Sequence, residues 1–243
     1  MHKTLLALTW MAAGVAARPA DAAPGIPQLP SPNHFVHRVD NKWFPLIPGT
    51  VMVYRGEKDG ITGRDVLTVT HRHRTILGIQ ATVVSDRLYL RGHLAERTTD
   101  WYAQDKRGDV WYLGERTAEL DAHGKTTSTE GSWTAGAHGA HAGIYMPAHP
   151  EPGARGRQEY YKGHAEDQYK ILSLAAHVTT PAASSQHALL TQETTRLEPG
   201  TVDHKLYVAG TGTVVEQSIK GGNERFVLSS ISQPSRGARR ATG

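Results

Sequence analysis

The sequence predicts a mainly β protein: an antiparallel, curved sheet that forms a half-barrel or a closed β-barrel, with one long loop rich in Gly, Ala, His and Pro. Three observations carry this reading. Short runs rich in β-branched and aromatic residues recur along the chain, divided by Gly-bearing turns. No crossover helices stand between them, so a parallel βαβ architecture has no support. Several of the runs are long, which suits a curved barrel wall better than a sandwich.

The chain opens with the basic Met1-His2-Lys3, an apolar run over 4–17 and the small-x-small site Ala20-Asp21-Ala22. Residues 1–22 therefore read as an export signal. Arg18 and Pro19 end the apolar run before it could span a bilayer, and no other segment approaches spanning length. The expected location is secreted or periplasmic, with no membrane span after signal cleavage. Residues 23–38 read as an extended Pro-rich leader, 39–233 as a single β domain, and 234–243 as a disordered basic tail carrying Arg236, Arg239 and Arg240.

Trp43, Phe44 and Leu46 are expected to plug one end of the core, before a turn at Pro48-Gly49. Strands are predicted over 50–57 and 64–74, with a third inside 76–90. The centre of the pattern is 100–115, read as an aromatic hairpin. Its arms are Trp101-Tyr102-Ala103-Gln104 and Val110-Trp111-Tyr112-Leu113, with Gly108 free to take a positive φ in the turn. Side chains alternate along a strand, so each Trp-Tyr pair places one aromatic on each face. Residues 119–132 are polar and turn at 121–124. Residues 133–152 read as a crossing loop anchored by Ile144, Tyr145 and Met146. The β pattern reopens at 156–161. Residues 165–179 alternate from Tyr169 onward, with a helix allowed in the first half. Strands follow over 186–195, 202–208, 212–219 and 224–231.

The absence of Cys removes disulfides, thiolate nucleophiles and Cys-ligated metal centres. The net charge of +4 is mild and the basic residues are scattered, which gives no nucleic-acid stripe. There is no G-x-S-x-G elbow, no GxGxxG opening a helix and no P-loop, so serine-triad and nucleotide chemistry lack a motif. No motif requires a cofactor, although a divalent metal is allowed.

Three groups of residues could build a site. Asp100, Glu115, Glu159, Glu193 and Glu216 lie in or beside predicted strands. Facing inward they would need partners or serve as ion-binding or acid–base groups; facing outward they are an ordinary solvated face. His71 and His73, at i and i+2, share one strand face, and His138, His141 and His204 could complete a metal set with them. The third group is aromatic: Trp101, Trp111, Tyr112 and Tyr160, with Arg157 and Glu159 as polar aid, suit either a core or the lining of a ligand cavity.

Asn41-Lys42-Trp43-Phe44-Pro45-Leu46, Val53-Tyr54-Arg55-Gly56, the Trp-Tyr-Ala-Gln-Asp to Val-Trp-Tyr-Leu-Gly-Glu pattern of 101–115, Glu130-Gly131-Ser132-Trp133 and residues 157–161 resemble a family of uncharacterised exported bacterial proteins. The resemblance continues through 143–147, 165–167, 197–200 and 210–216, and covers most of the chain after residue 22. It implies a single, mostly β domain and export, and it carries over no catalytic residue. This chain lacks the Cys of the lipoprotein members.

The leading expectation is an exported β protein that binds a small, partly apolar ligand in an aromatic-lined pocket. The alternatives are a hydrolase or lyase with a His/carboxylate site, metal-dependent or not, and a cell-envelope module with a protein partner at its sheet edges.

Overall fold

The computed structural model describes residues 23–234. The predicted signal and residues 235–243 of the tail lie outside the described residues.

The chain folds as a series of antiparallel strands. A short 3-10 turn at Pro32–His34 leads into β1 (Phe35–Val36). The first meander is β2 (Val51–Lys58), β3 (Ile61–Ile76), β4 (Ile79–Leu90), β5 (His93–Asp105) and β6 (Val110–Leu120). Five short strands follow: β7 (Thr126–Ser128), β8 (Trp133–Thr134), β9 (His141–Met146), β10 (Arg155–Arg157) and β11 (Glu159–Tyr160). The second meander is β12 (Gln168–Thr179), β13 (Ser184–Thr194), β14 (Val202–Val208), β15 (Gly212–Lys220) and β16 (Arg225–Ser232).

β16 pairs with β2, Leu228 opposite Tyr54, and so joins the two meanders. The sheet runs β10-β12-β13-β14-β15-β16-β2-β3-β4-β5-β6-β9-β11. Its two ends are neighbours in the chain. Arg157 of β10 faces Gln168 of β12, Glu159 of β11 faces Ala142 of β9, and Gln158 alone lies between. The sheet therefore curls into a nearly closed barrel with a single unsealed seam. Gly143 permits this approach: a Cβ there would stand 2.4 Å from the Arg157 carbonyl oxygen.

In an antiparallel meander alternate turns share an end. The turns at 47–50, 77–78, 106–109 and 209–211 meet at the end closed by residues 39–46. Trp43, Phe44 and Leu46 are buried there, as the sequence predicts. Asn41 ties the plug down. Its Oδ1 accepts the Trp43 and Phe44 backbone N–H groups at 2.8 and 3.2 Å, and its Nδ2 donates to the carbonyls of Gly108 and Pro147. Gly210 N–H adds a bond to the Lys42 carbonyl. The leader lies against the barrel: Arg157 Nε donates to the Pro24 carbonyl at 2.8 Å, and Leu29 packs on the core.

The aromatic hairpin forms as predicted, with β5 and β6 as its arms and Gly108 at φ +96. Tyr102 and Tyr112 face the barrel interior and stack with centroids 4.7 Å apart. Trp101 and Trp111 are also buried, but on the other face. A β-bulge interrupts the pairing: Trp101 opposes Gly114, while Tyr102 opposes Tyr112. The extra residue brings both Tyr112 and Glu115 inward, although they are three apart. Gly114 has φ +134, and a Cβ would lie 2.5 Å from the Trp133 carbonyl oxygen. Gly114→Ala is expected to destabilise the fold by about 2–3 kcal/mol. Urea denaturation followed by Trp fluorescence reads this, and a loss within experimental error would show that the bulge tolerates a side chain.

Two stretches differ from the sequence reading. Residues 133–152 are not loop throughout, because β8 and β9 both pair with β6. Their small residues let neighbouring backbones close in, which composition reads as loop. Residues 168–179 are strand, and no α-helix occurs among the described residues.

Candidate functional site

The barrel encloses a cavity of about 420 Å³. Period-two alternation on long strands builds its walls. β5 shows the rule most clearly, sending Glu96, Thr98, Asp100 and Tyr102 inward in succession. Asp65 and Leu67 on β3, and Asp86 and Leu88 on β4, extend the same wall.

The plugged end is aromatic. Phe44 packs on Tyr102 at 5.2 Å and on Tyr145 at 4.6 Å, and Tyr145 meets Tyr102 edge-on at 5.0 Å. Trp133 backs Tyr112 edge-on at 5.4 Å. These rings form a rigid floor. Toward the other end the lining turns acidic: Asp65, Asp86, Glu96, Asp100, Glu115, Glu159, Asp167, Glu193, Glu216 and Glu224 all line the cavity. Lys58 and Lys205 are the cations of that lining. This end admits water, since Lys58 and Glu224 keep 40% and 30% of their side-chain surface exposed.

Both lysines are engaged. Lys58 Nζ lies 3.2 Å from Glu224. Lys205 Nζ lies 3.0 Å from Glu193 and 3.3 Å from Glu216. Burial works against the Lys205 charge, but the two carboxylates outweigh it and hold its pKa well above the ordinary value. Glu193 also accepts hydrogen bonds from Thr191 and Tyr207.

Asp86, Asp100, Glu115, Glu159 and Asp167 have no such lysine partner among the described residues. Burial pushes Asp100 up to about 7, against the opposing pull of the Tyr112 hydroxyl that donates to its Oδ1 at 2.7 Å. Glu115 stands opposite Asp100 across the β5–β6 pair. Burial, and then the Asp100 and Glu159 charges, push it up to about 10. Asp86 is raised by burial and then by the neighbouring Asp65 carboxyl. Burial lifts Asp167 to about 6, although the residue is open to water beside the seam. Burial lifts Glu216 to about 7 against the pull of Lys205, even though 46% of its side-chain surface is exposed.

Glu159 is raised first by burial and then by the Asp167 charge. It is 5% exposed, and its Oε2 has no hydrogen-bond partner. The Trp133 indole N–H comes near enough to oppose the rise without closing a hydrogen bond of good geometry.

Of the ligand-binding residues expected from sequence, Tyr112 and Glu159 line the cavity. Trp101 sits under the Arg74 guanidinium at 3.8 Å, and Trp111 donates to Asp105 at 3.1 Å and packs edge-on with Phe35. Arg157 lies over the Tyr160 ring at 4.6 Å and holds the leader. These four residues brace the wall from outside. His71, His73, His138 and His141 are exposed and His204 is half-buried. Among the described residues no histidine lines the cavity, and no three His, Asp or Glu side chains converge in a group able to hold a metal.

The five carboxylates singled out by sequence, Asp100, Glu115, Glu159, Glu193 and Glu216, all line the cavity. Sequence reasoning missed Asp65, Asp86, Glu96 and Lys205. For the three carboxylates the signal was present in the period-two series Asp65/Leu67, Asp86/Leu88 and Glu96/Thr98/Asp100/Tyr102, the last of which continues directly into an aromatic ring; Lys205 had none.

No family model and no curated protein matches the chain. A solved structure of a "putative lipoprotein" from Parabacteroides distasonis ATCC 8503 is similar with a TM-score of 0.43 and 12% identity, over 79% of this chain and 100% of that one.

Proposed function

We propose that the protein is an exported ligand-binding barrel that seats a small, partly apolar molecule on its aromatic floor. The observation that carries this is the cavity itself. It is closed at one end by Phe44 and the Tyr102, Tyr112 and Tyr145 rings, and water-accessible at the other. Its volume of about 420 Å³ falls within the range of small-molecule sites. Export rests on the signal pattern of residues 1–22 and on the resemblance to exported β proteins.

Native mass spectrometry of protein isolated from the periplasm or medium tests the reading. A stoichiometric small molecule is expected, and Tyr145→Leu is expected to weaken its binding about tenfold, the loss of one aromatic face. A protein that carries nothing and takes up no probe of any charge would overturn it.

A hydrolase or lyase reading draws on one feature. Asp100, raised to about 7 and bonded to Tyr112, is poised to exchange a proton near neutrality. It predicts a change in mass of the bound molecule on incubation, which stops in Asp100→Asn.

A further inference from the structure

We propose that the ligand of this cavity is an elongated organic di- or polyamine, its ammonium groups held by the carboxyls of the β3–β6 wall and by Glu159 of β11, and its methylenes laid on the tyrosine floor. This rests on the ligand-binding reading above and names the chemistry of the ligand.

Charge is the first argument. Lys58 is engaged by Glu224, and Lys205 by Glu193 and Glu216. Asp65, Asp86, Glu96, Asp100, Glu115 and Glu159 have no lysine or arginine within ion-pair distance among the described residues. Hydroxyls reach two of them, Tyr112 donating to Asp100 and Thr98 and Thr117 to Glu96, but a buried carboxyl without a cation is costly, and such groups either keep a proton or await a cation. Two buried carboxyl oxygens also lack any hydrogen-bond donor. Glu159 is 95% buried by its 5% exposure, lines the cavity, and has an Oε2 with no partner. Asp65 Oδ1 is likewise buried and unpartnered.

Shape then selects among cations. Glu96 and Asp100 are four residues apart on β5, so their Cα atoms are about 13 Å apart along one wall. The carboxyls are strung along the barrel, and no three of them converge as a compact metal ion requires. An extended molecule with separated charges fits that arrangement. Lys205 shows how the cavity holds an ammonium: two carboxylates in contact and the Tyr145 ring face at 6.0 Å. Protons retained on the empty carboxyls would be released as the amine binds. Around Asp100 the groups involved are Glu96 on its own strand, Tyr112 and Glu115 on β6, Asp65 on β3, Asp86 on β4, Glu159 on β11, and Lys205 across the barrel on β14.

The test is titration calorimetry of the mature chain with octanediamine, octanediol and octanedioate, which share one length and differ in end-group charge. The diamine is expected to bind about a hundredfold more tightly than the diol, and the dioate not to bind. In two buffers of different ionisation enthalpy, the diamine heats should report proton release. Asp100→Asn and Glu159→Gln should each weaken the diamine about tenfold and the diol clearly less. The wild-type series decides the matter even if a variant fails to fold. A diol or dioate that binds as well as the diamine overturns the amine and leaves the ligand-binding reading intact. Binding of calcium, magnesium or zinc alone that blocks the diamine overturns it in favour of a metal. If none of the three chains binds and no molecule co-purifies, both readings fail.

Discussion

Lys205→Met is expected to cost about 3–5 kcal/mol of folding stability, the penalty for stranding one half of a buried ion pair. Lys205 and Glu193 retain only 15% and 10% of their side-chain surface. Glu193 would keep its hydrogen bonds from Thr191 and Tyr207 but lose the ammonium at 3.0 Å. The damage spreads, because the Lys205 charge also holds down the pKa values of Asp100, Asp167 and Glu216. Without it those carboxyls rise further. Lys205→Met combined with Glu193→Gln is expected to recover at least about half of the loss, since it removes the stranded charge while keeping an acceptor for the two hydroxyls. Chemical denaturation of the single and double variants measures both quantities. A single-variant cost below about 1 kcal/mol, typical of an exposed pair, would show that water reaches this one freely.

The barrel was legible because most of its wall obeys local rules. Gly108 marks the 106–109 turn, and the β-branched runs around Val51, Val66 and Val83 mark strands. Trp43, Phe44 and Leu46 stand out as a plug because nothing about their segment suits a strand, yet all three need burial. The stretch at 133–152 was harder. β9 contains His141, Ala142 and Gly143, residues of low strand propensity. They are strand because β6 offers a partner on one side and Arg157 and Gln158 cross close on the other, which only a residue without a Cβ allows. That information lies in contacts far apart in sequence.

The site was legible in part, for a physical reason. The usual inference puts the hydrophobic face of a strand inside and the charged face in water. Here the interior is hydrophobic only near the plug, and it becomes acidic along the same strand faces. On β5, Tyr102 and Glu96 point the same way, so a face whose charges would suit solvent is the cavity wall. Trp101 and Trp111, expected at the ligand, lie on the opposite strand face. Each Trp-Tyr pair must divide between the faces, and the sequence does not say which ring goes inward. The outer face could bury tryptophans because the leader strand and Arg74 cover it.

An acidic lining with far fewer cations than carboxyls leads to the second large effect: the empty protein is expected to lose stability as the pH rises. A carboxyl whose pKa is higher in the folded than in the unfolded chain holds a proton the unfolded chain has already released. Its contribution is fully present below the ordinary carboxylate range and is lost as the pH climbs through the raised value. Those values are about 6 for Asp167, about 7 for Asp100 and Glu216, and about 10 for Glu115. Glu159 and Asp86 are raised in the same direction. His204, pushed below its ordinary value by burial, works the other way through one partly exposed ring. Asp100, which is 8% exposed, alone contributes on the order of 4 kcal/mol to this slope. The melting temperature of ligand-free protein should therefore fall by about 10 °C between about pH 5 and pH 8. A flat or rising curve would mean that the cavity carboxyls ionise as they do in water, with hydration reaching Glu115 and Asp100 alike. If the cavity takes a diamine, the same carboxyls reverse the trend. The bound ammonium groups supply what the lining lacks, so the thermal stabilisation they confer should be larger at the higher pH, where the empty protein is weakest.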